Sequence, residues 1–191
     1  LQPSPWEEVR DFFHYCDNYI DAVDKAAERV ATKLTGTDRV RAAIRGLEAE
    51  GLHVRFANVP DLRRFDELRQ ELTLSSLAAP ETQTFQMMLQ LALTRHGKLL
   101  DATLDLGRFQ SDAARDIARL GLANYFAGAA VMPYGQFLQA AHDTRHDLEL
   151  MARRFGASIE QVAHRLSTLQ RPGAKGIPFF FVRVDQAGTI T

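Results

Sequence analysis

A chain of 191 residues, 46% hydrophobic and 25% charged, has the length for one large or two small domains and the composition of globular material rather than a disordered tail. Its net charge of −1 excludes a global pull toward nucleic acid, so any anion site has to be built locally. No run of 18 or more apolar residues occurs, which excludes an apolar membrane-spanning helix, and the single cysteine, Cys16, excludes an internal disulfide framework and fits a reducing cytoplasm.

Ser4-Pro5-Trp6-Glu7 opens a helix. Ser4 caps it, Pro5 suits the first helical position and Glu7 completes a capping box. Apolar residues at Val9, Phe12, Phe13, Cys16, Ile20, Val23, Ala27, Val30 and Leu34 predict a single helix running to about Leu34. Thr37 starts a second, with Val40, Ile44 and Leu47 on one face and Gly51 at its end.

The period then changes to two. In "LHVRFANV" Leu52, Val54 and Phe56 alternate with His53, Arg55 and Ala57, a half-buried strand. "LRRFDEL" and "ELTLSS" follow as two short strands, a plausible hairpin. Helices are expected over 81–96, 99–105, 111–131, 134–143, 146–155 and 158–169, and "RPGAKGIPFFFVRV" leads through a Pro/Gly loop into a last apolar strand. The expected fold is α+β, mainly helical, with a small antiparallel sheet beside the helices. "LQPSPW" lacks an initiator Met and the regions of a signal peptide, and "FFFVRVDQAGTIT" stops within an expected strand-turn-strand. Both ends read as cuts from a longer protein.

"TFQMMLQLALTRHGKLL" (84–100) is an apolar helix, and "LANYFAGAAVMPYGQF" (122–137) carries Ala123, Asn124, Phe126, Ala127, Met132 and Pro133 in the register of a known pattern. It resembles the second motif of the IrrE/ImmA-type metallopeptidases. The resemblance implies that the two histidine ligands of those enzymes fall at Leu89 and Leu93, the glutamate ligand at Leu122 and the catalytic glutamate at Gln90. Zinc needs N, O or S donors and its water needs a base, so no catalytic residue and no metal are expected here. The segment "LSTLQRPGAKGIPFFFVRVDQAG" is similar to the short-chain fatty acyl-CoA regulators, the mycobacterial propionate regulators in particular, over about residues 5–191.

That resemblance implies a ligand sensor in a cytoplasmic transcription regulator of propionate or fatty-acid metabolism. Coenzyme A or a short-chain acyl-CoA such as propionyl-CoA would be its ligand. It further implies a degenerate peptidase-like ligand domain over 1–155 and the start of a family-specific region over 156–191. A DNA-binding helix-turn-helix would lie ahead of the chain. An iron–sulfur cluster would belong only to a cysteine-containing segment beyond it. No membrane contact is expected, and a homo-oligomer is.

The residues suggest how such a ligand would be held. Phe12, Tyr15 and Tyr19 offer aromatic surface for an adenine, while Lys25, Arg29 and Arg55, with Arg63 or Arg64, offer cations for phosphates. Leu89, Leu93, Leu122, Tyr125 and Met132 would line an apolar cavity at the former metal site. The plainer reading makes the aromatics core and the cations solvated. His142 and His146 have ligand spacing but no third partner. "LMARRFGASIEQVAHRL" has helix-turn-helix form, although its second helix offers little cationic surface for DNA. Two rival functions remain open: a dimerisation or protein-interaction domain with a vestigial pocket, and an active zinc metallopeptidase.

Overall fold

The computed structural model describes residues 2–178. The helices of the first third are α1 (Pro5–Tyr15), α2 (Asp21–Ala31) and α3 (Arg39–Glu48). Three strands follow: β1 (His53–Ala57), β2 (Arg63–Asp66) and β3 (Glu71–Ser75). The rest is helical: α4 (Pro80–Arg95), α5 (Gly97–Gly107), α6 (Asp112–Val131), α7 (Tyr134–Asp143), α8 (Leu148–Phe155) and α9 (Ile159–Leu166). The apolar strand expected beyond the Pro/Gly loop lies outside the described residues.

The expected caps form. Ser4 Oγ accepts from the Glu7 amide at 3.2 Å while Glu7 accepts from the Ser4 amide at 2.9 Å. Ser158 and Gln161 make the same reciprocal pair ahead of α9 at 3.0 and 2.9 Å, and Ser111 caps α6 through the Ala114 amide. Each satisfies amide groups that the first helical turn would otherwise leave unpaired. The α3 cap is Asp38, accepting from the Arg41 amide, so that helix begins two residues after Thr37.

Two expectations are corrected. The helix predicted through Leu34 is broken, because Asp17 and Asn18 take left-handed φ of 54° and 58°. The Asn18 amide closes the turn on the Phe13 carbonyl at 2.8 Å. Short Asx side chains tolerate this conformation and end helices with it. The apolar period carries on across the break, which hid it. The sheet is mixed rather than antiparallel. β2 and β3 form the expected hairpin, but β1 pairs parallel with β3, giving the order β1-β3-β2. Alternation along a strand is the same in both kinds of ladder, so only the tertiary fold distinguishes them.

Helix α4 is buried without interruption from Met87 to Ala92, the mark of a helix enclosed on all sides. It packs on α3, α5, α6 and β3. Helix α6 is the other organiser. Its buried positions include Ala114, Ala118, Ala123, Ala127, Ala129 and Ala130, small enough for α1, α2, α4, α5 and α9 all to lie against it. Val23, Ala27, Leu47, Leu72, Leu74 and Phe137 complete the core, each 0% exposed. At about 25 cal/mol per Å², such burial is the main favourable term in folding.

Candidate functional site

One face of α6 is kept open. Gly121, Asn124, Tyr125 and Gly128 recur at three- and four-residue steps, with Met132 at the C-cap, and all five line a cavity of about 540 Å³. Phe13 of α1 and Phe85 of α4 close its apolar side, and α9 with the residues after it supplies Gln161, His164, Arg165 and Thr168 opposite. A Cβ added at Gly128 would meet nothing nearer than Met132 Cε at 4.0 Å. At Gly121 it would stand 3.2 Å from the Phe13 ring. The glycines therefore set how much room the cavity has. Asn18, Ser158, Glu160 and Ser167 add to the polar part of the lining, and a hollow of this size with an apolar side and convergent polar groups suits a small ligand.

The polar wall is tied to a buried carboxylate. Asp24 is 0% exposed. Arg165 Nη1 donates to its Oδ2 at 2.7 Å and Nη2 to its Oδ1 at 3.1 Å, and the Tyr125 hydroxyl donates to Oδ2 at 2.6 Å. Tyr125 Oη also accepts the Ile20 amide at 3.1 Å, which serves α2 as the cap its own side chains do not provide. Burial first, and then the Asp24 charge, push the Tyr125 phenol well above its ordinary pKa. Burial works to lower the Arg165 pKa, but hydrogen bonding and charge attraction from Asp24 outweigh it and raise the value. The His164 pKa is lowered by burial.

The position where the resemblance places the metal is filled by side chains. Leu89 is 3% and Leu122 0% exposed, Leu93 is packed against the same core, and none of the three lines the α6–α9 cavity. Gln90, standing where the resemblance places the catalytic glutamate, is 2% exposed. It accepts a hydrogen bond from Arg63 of β2 and donates to Thr94 Oγ1 at 2.9 Å. These hydrocarbon and amide groups give zinc no donor set. Among the described residues no group of three or more His, Cys, Asp or Glu side chains is placed to hold a metal. With one cysteine, the chain has no ligand set for an iron–sulfur cluster either.

Of the residues singled out by sequence, Tyr125 and Met132 meet in the cavity; the others do not join them. Phe12 is core, edge-to-face with Phe13 and Phe109. Tyr15 is 89% exposed. Tyr19 is buried and its hydroxyl donates to Asp21 at 2.8 Å. Lys25 pairs with Asp21 at 3.0 Å in solvent. Arg29 lines a separate open groove with Arg39 and Arg154. Arg55 is exposed on β1, Arg64 pairs with Asp61, and Arg63 turns inward to Gln90, so these do not form a basic mouth. His146 follows α7 at φ 63°, so the His142–His146 pair does not share a helix. Helix α9 buries Val162, Ala163, Arg165 and Leu166, a packing helix. Sequence reading missed Asp24, Arg165, Gly121 and Gly128. The only local signal was an aspartate at a buried step of the α2 period and glycines inside a helix, where they cost about 1 kcal/mol each and call for a reason.

Residues 47–167 match the family model described as "IrrE N-terminal-like domain", and residues 168–191 match "Short-chain fatty acyl coenzyme A regulator, C-terminal". The chain is 62% identical over its whole length to the "Propionyl-CoA carboxylase regulator" of Cereibacter sphaeroides, covering 41% of that protein. It is 43% identical to the Mycobacterium tuberculosis proteins named "HTH-type transcriptional regulator RamB" and "HTH-type transcriptional regulator PrpR". It aligns over 98% and 100% of its own length, and over 41% and 40% of theirs. A solved "Mycobacterium tuberculosis transcriptional regulator" superposes with a TM-score of 0.94 at 42% identity, over 99% of this chain and 59% of that one. The chain thus spans about two fifths of the curated relatives it matches, all of which carry the names of regulators rather than enzymes.

Proposed function

The chain belongs to the IrrE N-terminal-like family in the form that continues into the short-chain fatty acyl coenzyme A regulators, and from that premise we propose that it is the effector-sensing part of a transcription regulator. The effector is a short-chain acyl-CoA, propionyl-CoA being the representative case. Its acyl end occupies the α6–α9 cavity rather than the filled position of Leu89, Leu93 and Leu122. One observation carries this reading: α6 spends two glycines, Gly121 and Gly128, to keep open an apolar hollow in an otherwise close-packed helix. Space of that kind is costly to maintain unless something fills it.

The proposal extends to the whole protein. A DNA-binding segment outside this chain reads the operator, the regulator works in the cytoplasm, and it functions as a homo-oligomer. Among the described residues no helix is long and apolar enough to cross a membrane. In this reading residues 1–155 form the ligand-binding domain and residues 156–191 begin the family-specific region.

Isothermal titration of the chain with CoA, acetyl-CoA, propionyl-CoA, butyryl-CoA and hexanoyl-CoA tests the reading. Each methylene that fits adds roughly 0.8 kcal/mol until the cavity is full, so affinity should rise and then fall along the series. No binding of any member, or binding indifferent to the acyl group, would remove the acyl-CoA assignment and leave an interaction domain.

A further inference from the structure

Asp24 joins the cavity to the segment that follows α9. Two of its hydrogen-bond donors, Tyr125 and Arg165, line the cavity. A third, Arg171, belongs to the segment and reaches Asp24 Oδ1 at 3.3 Å. The Arg171 guanidinium lies over the Tyr134 ring, 4.2 Å from its centroid, and pairs with Glu28 at 2.9 Å. Tyr134 holds the segment's backbone at two points, accepting from the Arg171 amide at 2.9 Å and donating to the Ala174 carbonyl at 2.8 Å. The segment is also held by buried Leu169, by Thr168 accepting from Arg165 Nη1 at 3.0 Å and by Arg171 Nε donating to the Tyr19 hydroxyl at 2.5 Å, so Arg171 is its one direct link to Asp24 among the described residues.

The carboxylate is saturated. Its two oxygens offer about four lone-pair sites, and four donor atoms on Tyr125, Arg165 and Arg171 already use them. Donors to one buried acceptor compete. A ligand carbonyl that draws Tyr125 or Arg165 toward the cavity leaves more of the Asp24 charge for Arg171, at low dielectric where that difference counts. Residues 168 onward are also where the match to the regulators' C-terminal region begins.

We infer that Asp24 is a coupling residue, through which occupancy of the α6–α9 cavity tightens the docking of residues 168–178 by way of Arg171. The inference rests on the proposal that the cavity takes a short-chain acyl-CoA. Coupling between two sites is commonly 5- to 150-fold, so propionyl-CoA should slow amide hydrogen exchange in 168–178 by at least about fivefold.

The test is hydrogen exchange followed by mass spectrometry on the chain with and without propionyl-CoA, alongside titration calorimetry. It is run on wild type, Asp24→Asn and Arg171→Gln. Expected are slowed exchange of 168–178 in wild type, and loss of that response in both variants, with propionyl-CoA binding retained in Arg171→Gln, whose residue does not line the cavity. Should Asp24→Asn fail to fold, Arg171→Gln, at the partly exposed end of the chain of contacts, decides alone. Binding without any change at 168–178 in wild type, or an unaltered response in Arg171→Gln, overturns the coupling and leaves the ligand assignment standing. Absence of binding in wild type overturns both.

Discussion

Arg165 and Asp24 are 141 residues apart in sequence and meet at 2.7 Å with both side chains sealed from solvent, 3% and 0% exposed. The pair fastens α9 to α2. Arg165 Nε also donates to the Met132 carbonyl at 2.9 Å, which ties the same guanidinium to the end of α6. A buried charge that loses its partner costs more than the pair contributed. Asp24→Ala should therefore lower stability by about 3–5 kcal/mol, read from urea denaturation. A change under 1 kcal/mol would mean that water reaches the site.

Tyr125 is a strut as well as a wall of the cavity. Its hydroxyl serves Asp24 and the Ile20 amide. Tyr125→Phe leaves the ring, strands the Ile20 amide and removes one of the four donors to Asp24, so the expected loss is about 1–3 kcal/mol. Denaturation of the variant measures it, and an unchanged midpoint would show that other groups satisfy Ile20.

Gly128→Leu separates binding from stability. The added Cβ has room beside Met132, and replacing a helical glycine favours the helix by about 0.5–1 kcal/mol. The remaining side chain fills the cavity. Thermal midpoint should hold or rise while propionyl-CoA affinity falls at least tenfold, the equivalent of about 1.4 kcal/mol. A folded variant with wild-type affinity would place the acyl group elsewhere.

Gln90→Glu restores a carboxylate where the peptidase pattern has its base, but it restores no ligand. The variant and the wild type should both lack stoichiometric zinc by elemental analysis and cleave no fluorogenic peptide, because a base without a metal-bound water has nothing to activate. Zinc at one equivalent in either protein would reopen the metallopeptidase reading.

His96 contributes to the pH dependence of stability. Its ring stacks on Phe126, 4.8 Å between centroids. Burial, then the charges of Arg95 and Arg29, hold its pKa below the usual 6.5. The folded state therefore resists a proton that the unfolded chain accepts. Its contribution is fully present above about pH 6.5 and is lost as pH falls through the lowered folded value. His96→Phe keeps the stacking and removes the proton. Its stability should fall less than that of wild type between pH 7 and pH 5 in parallel urea titrations, and identical slopes would show that His96 does not contribute.

What the sequence settled by itself was local. Ser4 with Glu7, Ser111, and Ser158 with Gln161 are legible because a cap is made by residues three apart, whatever the rest of the chain does. The apolar run of α4 announced a buried helix for the same reason. The M-P motif at the end of α6 is legible as a family resemblance because its residues are contiguous in the chain. Tertiary structure decided everything that depends on distance. A period of 3.6 continues through Asp17-Asn18 although the helix does not, because only packing required the chain to turn there. Period two does not report which way β1 runs beside β3. Substituting leucine for ligands suggested an empty cleft, but close packing drew the neighbouring side chains in and left the open space on the Gly121–Gly128 face of α6. Asp24 sits within the apolar stripe of α2, and Arg165, Tyr125 and Arg171 reach it from other parts of the chain. A buried charge is tolerable only beside its partners, and three-dimensional proximity alone supplies them.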